Sequence, residues 1–271
     1  MKRREFLAAA CAAGTMSVTA ESVHSQEPAR KRMFIEYRQI TAPNQERLRE
    51  LVKYNETMYI PAFDRYGVAP MGLFVADPQL NAEYEKYDRK YDMMMFGLFP
   101  FPSLDSSVEL TEKLLKDTEI LATRAKLEAE RTSKDPLFTA HERMFFRCLE
   151  GFPDIIVPPL TPDRILRLRF YRSHSFARNR AKIDMLFNGG EVALMKECGI
   201  KPIFFAEVIC GPFMPSIVSM LSFDNEEEMK ETWPKFINHP ERKRLSDNPA
   251  FADVATEVIA VCLRPCKGSQ I

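Results

Sequence analysis

The sequence predicts an α+β protein made of two tandem ferredoxin-like βαββαβ domains that pair their sheets as an α+β barrel. One four-residue motif occurs twice, beginning at Gly67 and at Gly199: a glycine, an apolar residue, any residue and a proline. Each copy comes before a run of strand-forming residues. Around both copies, strand-like and helix-like segments follow the order strand, helix, strand, strand, helix, strand, which is the order of a ferredoxin-like unit. The repeated order indicates a tandem duplication.

A ferredoxin-like sheet carries its helices on one face only, so its other face needs a cover. An apolar sheet face left in water is unfavourable, and stacking the two bare faces covers both at once. The predicted domains are 33–157 and 163–265, joined by the stiff proline-rich linker 158–162. Each half is expected to serve the other as a second subunit does in a dimeric barrel.

The first half begins with a strand over 33–40, which is short and rich in strand formers. Pro43 opens a helix with apolar residues at spacings of three and four, Pro61 kinks or ends it, and Gly67 closes it in a left-handed conformation. A polar insertion over 77–91 follows the second strand. The other predicted elements are strands at 71–75 and 93–99, a long helix from Asp105 or Ser106 to about Ser133, and a last strand at 144–149 or 154–157.

The second half repeats this order with different residues. Asn188-Gly189-Gly190 interrupts its first helix, and Asp224 is the predicted N-cap of its second. The elements are a strand at 165–171, a helix at 178–187 that resumes over 191–198, strands at 203–210 and 216–223, a helix after 224, and a final strand at 254–263.

Residues 1–25 are typical of an export signal and are excluded from the fold. A basic start precedes a short Ala-rich stretch, and Arg3-Arg4 followed by Phe6-Leu7 resembles a twin-arginine signal. The favoured cleavage site follows Ala20. This signal predicts a periplasmic or otherwise extracytoplasmic protein.

The remaining composition excludes several classes of partner. Lys+Arg and Asp+Glu are both 38 in the whole chain, and basic residues are interleaved with acidic ones. A nearly neutral chain without a basic groove is not expected to bind nucleic acid. No apolar run after the N-terminus is long enough to span a bilayer. The cysteines show no disulfide framework or metal-ligand spacing, although Cys262 and Cys266 are close enough in sequence for a pairing to be considered.

Three motifs resemble the NIPSNAP family. They are Glu36-Tyr37-Arg38, the stretch from Glu197 to Trp233, and the C-terminal NHPERKRLSDNP with the strand after it. The resemblance is to exported bacterial two-domain members and is most specific over 163–265. It implies an α+β barrel, it allows a homodimer, and it implies no settled reaction. Arg167-Leu168-Arg169 replaces the Glu-x-Arg motif in the second half, so any Glu-dependent chemistry could survive only in the first.

Alternation along the strands places charged side chains together. Glu36 and Arg38 share one face of the first strand, while Arg167, Arg169 and Tyr171 share one face of its counterpart. We expect Leu166, Leu168 and Phe170 to pack under the helices, so that the charged faces line the space between the sheets. Such a pocket would bind a small polar or anionic ligand, with Glu207 as a further member; alternatively, the same residues form a structural ion-pair network.

His174 follows the second of these strands, near the expected mouth of the barrel. It could act as a general base or an axial haem ligand, but a loop histidine is more often simply solvated. No metal site is predicted and the cofactor is left open. The preferred function is binding of a small ligand, or an accessory role. The alternative is an α+β barrel enzyme: a cofactor-independent monooxygenase, an isomerase or a haem-processing protein.

Overall fold

The structure, a computed structural model, describes residues 31–84 and 89–271, and the predicted export signal lies outside them. It has a mixed α+β fold in which eight antiparallel strands form a closed barrel with helices outside. In the described ranges no helix has the length and apolar character needed to cross a membrane. The strands are β1 (Phe34–Thr41), β2 (Gly72–Ala76), β3 (Met94–Phe101), β4 (Ala140–Cys148), β5 (Ile165–Arg172), β6 (Lys201–Cys210), β7 (Ser216–Phe223) and β8 (Glu257–Pro265).

The helices cover the outside of the barrel. They are α1 (Gln45–Tyr54), a π-helical turn (Asn55–Tyr59), α2 (Ile60–Arg65), α3 (Pro78–Tyr84), α4 (Leu104–Leu114), α5 (Thr118–Ala129), α6 (Phe176–Phe187), α7 (Glu191–Glu197), α8 (Glu226–Ile237) and α9 (Pro240–Asp247), with 3-10 turns at Arg89–Met93 and Pro249–Phe251. The single long helix expected from residue 105 is in fact two, α4 and α5. Asp117 separates them because its carboxylate accepts the backbone N–H groups of Glu119 and Ile120, which caps a new helix.

The strand order around the barrel is β1-β3-β2-β8-β5-β7-β6-β4. Each half contributes four adjacent strands in equivalent order, as the repeated pattern predicts, while the common origin of the halves stays a prediction. The expected stacking of two separate sheets is wrong in one respect. The sheets also pair along their edges, β2 with β8 and β4 with β6. Edge pairing satisfies backbone groups that two stacked sheets would leave exposed, and it puts β1 and β5 on opposite sides of one barrel.

Aromatic side chains fill the barrel interior. Tyr37 of β1 packs its ring 5.4 Å from Phe146 of β4 and 5.9 Å from Phe170 of β5, across the barrel. Leu166 and Leu168 belong to the same buried cluster. An eight-stranded barrel has an interior just wide enough to be filled by side chains, and here apolar side chains fill it.

The two seams between the halves differ in length. Along β4 and β6 the pairing extends from Phe145–Cys210 to Cys148–Ala206, whereas β2 pairs with β8 at three residue pairs only. Asn81 of α3 extends the shorter seam: its side-chain Oδ1 accepts the Cys262 N–H at 2.6 Å, and its Nδ2 donates to the Cys262 carbonyl at 2.9 Å. A side-chain amide thus takes the place of a strand residue where β2 has ended.

The repeated glycines behave as predicted. Gly67 and Gly199 have φ angles of +72° and +93°, the left-handed region in which a glycine ends a helix without strain. Each turns the chain from a helix into the strand that follows it, β2 or β6. The second-half helix predicted to start at Asp224 starts one residue later, because Asn225 accepts the Glu228 N–H and serves as the N-cap.

Candidate functional site

The charged strand faces point outward, toward the helices, and the predicted orientation is wrong. Leu166, Leu168 and Phe170 lie inside the barrel, while Glu36 and Arg167 lie beneath the helical layer. Alternation separates two faces of a strand but does not say which is inner, and both faces are covered in this fold. The closed interior has the least room for water or counter-charges, so it takes the apolar face.

Glu36 is the centre of a buried ion-pair cluster on the outside of β1. Its carboxylate lies 2.5 Å from Arg38 Nε and 2.8 Å from Arg143 Nη2 of β4, and it accepts the Ser107 hydroxyl of α4 at 2.5 Å. The Arg38 guanidinium also lies over Phe99, 4.7 Å from the ring centroid. Burial alone would raise the pKa of Glu36, but Arg38, Arg143 and Ser107 outweigh it and lower that pKa.

Arg167 and Arg169 lie on the other side of the barrel, against α8. Their guanidinium carbons are 3.9 Å and 4.7 Å from the ring centroid of Trp233. Tyr171, next on that face, packs with the helices of the second half, and its ring lies 5.0 Å from the Lys182 ammonium. The apolar barrel interior separates these residues from Glu36, so the structure does not bring the two sets into one central pocket.

The two remaining predicted residues stand apart. Glu207 pairs with Arg147 at 2.6 Å across the β4–β6 seam, which joins the two halves of the barrel. His174 is about half exposed and lies 3.5 Å from Asp253 at the surface. The seven predicted residues therefore occupy four places, and their role in binding a ligand stays a prediction.

A cavity of about 770 Å³ lies elsewhere, between α1 with its π-helical turn and the outer face of β2. At the cavity wall, the Gln45 side-chain Nε2 donates to the Asp92 carbonyl at 2.8 Å. The Glu56 carboxylate, also in the wall, accepts the Lys267 N–H at 2.8 Å. Its apolar wall is formed by Leu48, Val52, Val75, Ala76 and Pro78.

Three cationic side chains line this cavity: Arg49, Lys53 and Lys267. In the described part of the chain, no carboxylate forms an ion pair with any of the three. Glu56 and Asp92 also line the cavity, so its formal charge is +1. An apolar wall with convergent polar groups is the usual composition of a small-molecule site, and the volume lies in the usual range for one.

The π-helical turn forms part of the wall of this cavity. The Asn55 side chain is buried and donates to the Leu51 carbonyl at 2.8 Å, which satisfies an acceptor where the regular helical pattern changes. The same turn places Glu56 and Thr57 on the cavity wall. Single π-helical turns within α-helices occur frequently at functional sites.

The structure places His174, the candidate haem ligand, away from the cavity beside β2. His174 pairs with Asp253 at the surface, and no histidine lines the cavity beside β2. Within residues 31–84 and 89–271, no group of three His, Cys, Asp or Glu side chains could hold a metal ion. His141 lies near Arg38 and Arg143, and its pKa is lowered mainly by burial and then by those two charges, which favours its neutral form.

The cysteines of the described ranges are free thiols, and Cys262 does not pair with Cys266. The two belong to different helix-covered clusters, one in each half, because β8 lies at the seam. Burial raises the pKa of Cys262 to about 11 and that of Cys266 to about 12, so both are protonated at neutral pH.

Known proteins share the fold of this chain at low sequence identity. No family model matches it, and no curated protein does. A proposed monooxygenase of Lactobacillus acidophilus aligns over 87% of this chain and 95% of its own, with a TM-score of 0.52 and 9% identity. A proposed monooxygenase of Fusobacterium nucleatum aligns over 88% and 94%, with the same TM-score and identity. These similarities show that the chain has the α+β barrel fold of those proteins.

Sequence reasoning missed the cavity beside β2. Its lining comes from α1, from the end of β2, from Asp92, and from Lys267 and Gly268 after β8, segments that no motif connects. Pro61 did signal an irregular helix there, but the π-helical turn precedes it. Only the tertiary fold brings these segments together.

Proposed function

We propose that this protein binds a small ligand with an apolar body and an anionic group in the cavity beside β2. The observation that carries the proposal is the combination of an apolar wall with Arg49, Lys53 and Lys267. The wall would take up the apolar part, since its burial is favourable, and the cations would select the charge. This keeps small-ligand binding as the function and moves it away from the residues named in the sequence analysis.

The anionic apolar dye 1-anilinonaphthalene-8-sulfonate is a suitable first probe of this site. We expect the triple variant Arg49→Gln, Lys53→Gln, Lys267→Gln to bind the dye about tenfold more weakly, since exposed charge pairs contribute up to about 1 kcal/mol each. The measurement is a fluorescence titration at two salt concentrations. The matched control carries the same change to glutamine at three cations outside the cavity, Lys113, Lys243 and Arg244.

Filling the cavity tests the apolar wall separately from the charges. Val75→Trp is expected to abolish dye binding, whereas Val108→Trp, on the exposed surface of α4, should leave it unchanged. Equal binding by both variants would contradict the proposed site. Mass spectrometry of the protein purified from its native compartment would then identify a natural ligand.

The second candidate is an enzyme that acts on a ligand in the same cavity. Two proteins with this fold are described as proposed monooxygenases, and this supports the candidate. Oxygen uptake and a change in the mass of the bound ligand would indicate an oxygenase, while recovery of the ligand unchanged would favour binding alone.

We further propose that the chain is an exported NIPSNAP-like protein derived from a duplication. The motifs at Glu36–Arg38 and after Glu197 support the family, the equivalent strand orders support the duplication, and Arg3-Arg4 supports export. Exchanging both arginines for lysine is expected to keep the precursor uncleaved in the cytoplasm. N-terminal sequencing of the periplasmic protein would locate the cleavage site, and sedimentation would show whether it is a homodimer.

A further inference from the structure

The barrel wall has an opening beside the first half of β8. In register with β8, β2 ends at Ala76, opposite Leu263, and the chain then turns into α3. The Asp77 N–H still donates to the Cys262 carbonyl at 3.0 Å. The Cys262 N–H in turn donates to the Oδ1 of Asn81. Before Cys262, no described residue pairs with this edge of β8.

Ala260 and Val258 are the residues of β8 whose backbone groups face this opening. Cys262 points its N–H and C=O away from β5, and antiparallel pairing alternates from one residue to the next. The register with β5 runs without a bulge from Leu263 to Glu257. Ala260 and Val258 therefore direct their N–H and C=O groups into the opening, and both line a cavity of about 520 Å³.

Asn81 shows which chemical group fits this edge. Its carboxamide accepts from the N–H and donates to the C=O of Cys262, so one planar amide satisfies both groups of one strand residue. Ala260 presents the same pair of groups two residues earlier, without such a partner in the described ranges. A carboxamide or a cyclic amide in the cavity could therefore repeat the contacts of Asn81.

Aromatic rings line the same cavity and would hold the rest of such a ligand. The Phe213 ring packs 5.7 Å from Phe170 at the end of the barrel, and the Tyr91 ring lies 6.2 Å from Phe96. Phe213 has a φ of +74°, a conformation that costs energy for a side-chain-bearing residue and occurs often at ligand sites. The Arg172 guanidinium lies 5.2 Å from the Phe213 ring and 2.5 Å from Glu257.

We propose that this opening is a second binding site, separate from the cavity beside β2, which takes a small planar aromatic carboxamide or cyclic amide. The amide pairs with the edge of β8 at Ala260, and the ring packs against Phe213 and Tyr91. The lining carries a formal charge of +1, from Lys90 and Arg172 against Glu257, and it is the backbone edge of β8 that distinguishes an amide from other groups.

Benzamide is the probe, added to the ¹⁵N-labelled mature chain and followed by NMR. We expect saturable shifts of the Ala260 and Val258 amide signals. N,N-dimethylbenzamide should bind about tenfold more weakly, because it cannot donate to the Ala260 carbonyl. Phe213→Ala should weaken benzamide binding, whereas Phe176→Ala, an exposed phenylalanine at the start of α6, should not.

Several outcomes would overturn this site. They are no shift at millimolar benzamide, shifts confined to residues elsewhere, or equal affinities for benzamide and its dimethyl derivative. Preferential binding of benzoate would show that Arg172 and Lys90 select an anion and that the edge selects no amide. Val75→Trp, which fills the other cavity, should leave benzamide binding intact, so the two sites can fail independently.

Discussion

Glu36→Ala is expected to reduce the free energy of unfolding by about 3 kcal/mol, measured by denaturant titration. The substitution leaves the guanidinium groups of Arg38 and Arg143 next to a buried surface without their counter-charge, and removing one partner of a buried pair typically costs about 3 to 5 kcal/mol. The low end applies because the Arg143 side chain is 36% exposed, so water screens part of its charge.

Acidification provides a second test of Glu36. Because the pKa of Glu36 is lower in the folded protein than in the unfolded chain, its ionised form stabilises the fold above the unfolded pKa. That contribution is lost as pH falls through the folded pKa. Glu36→Gln keeps the shape and removes the titration, so its unfolding free energy should fall less steeply than that of the wild type in acid. Parallel curves for the two proteins would contradict this.

Phe146→Ala is expected to have the largest effect of any single substitution proposed, a loss of about 3 to 5 kcal/mol. Its ring is fully buried inside the barrel, 5.4 Å from Tyr37 and 5.9 Å from Phe170. Removing it leaves a cavity that strands on every side prevent from collapsing.

Two control substitutions test whether the loss of stability in Phe146→Ala comes from the buried apolar volume that it removes. Phe146→Leu retains an apolar side chain and removes less volume, so it should cost clearly less than Phe146→Ala. Phe176→Ala should cost almost nothing, because that ring is 74% exposed. If Phe146→Ala were as stable as Phe176→Ala, the interior could not be the packed apolar core described above.

Local signals in the sequence were enough to predict the order of the strands and the longer helices, but not α3, α9 or the π-helical turn. Gly67 and Gly199 mark the same helix-to-strand turn in both halves because only a left-handed residue makes that turn without strain. The interrupted helix at Asp117 was missed, since a capping aspartate within a charged stretch resembles any other surface residue. Edge pairing at the two seams was missed as well, because it depends on where strands meet in space.

The candidate site was harder to predict for a related reason. In β5, leucines alternate with arginines, and this alternation identifies two faces without assigning either to the interior. The guanidinium groups of Arg167 and Arg169 lie over the ring of Trp233 in α8, which is more than sixty positions away in sequence. The cavity beside β2 likewise joins α1 to the segment after β8, so no local pattern could have shown it.

Closure of the barrel within one polypeptide has a consequence for assembly. The two four-stranded halves meet at two seams and are tethered by residues 149–164, so their union is an intramolecular step. A short tether holds such partners at an effective concentration in the millimolar range. Dilution should therefore not separate the halves, whereas a barrel formed from two chains dissociates as the protein concentration falls.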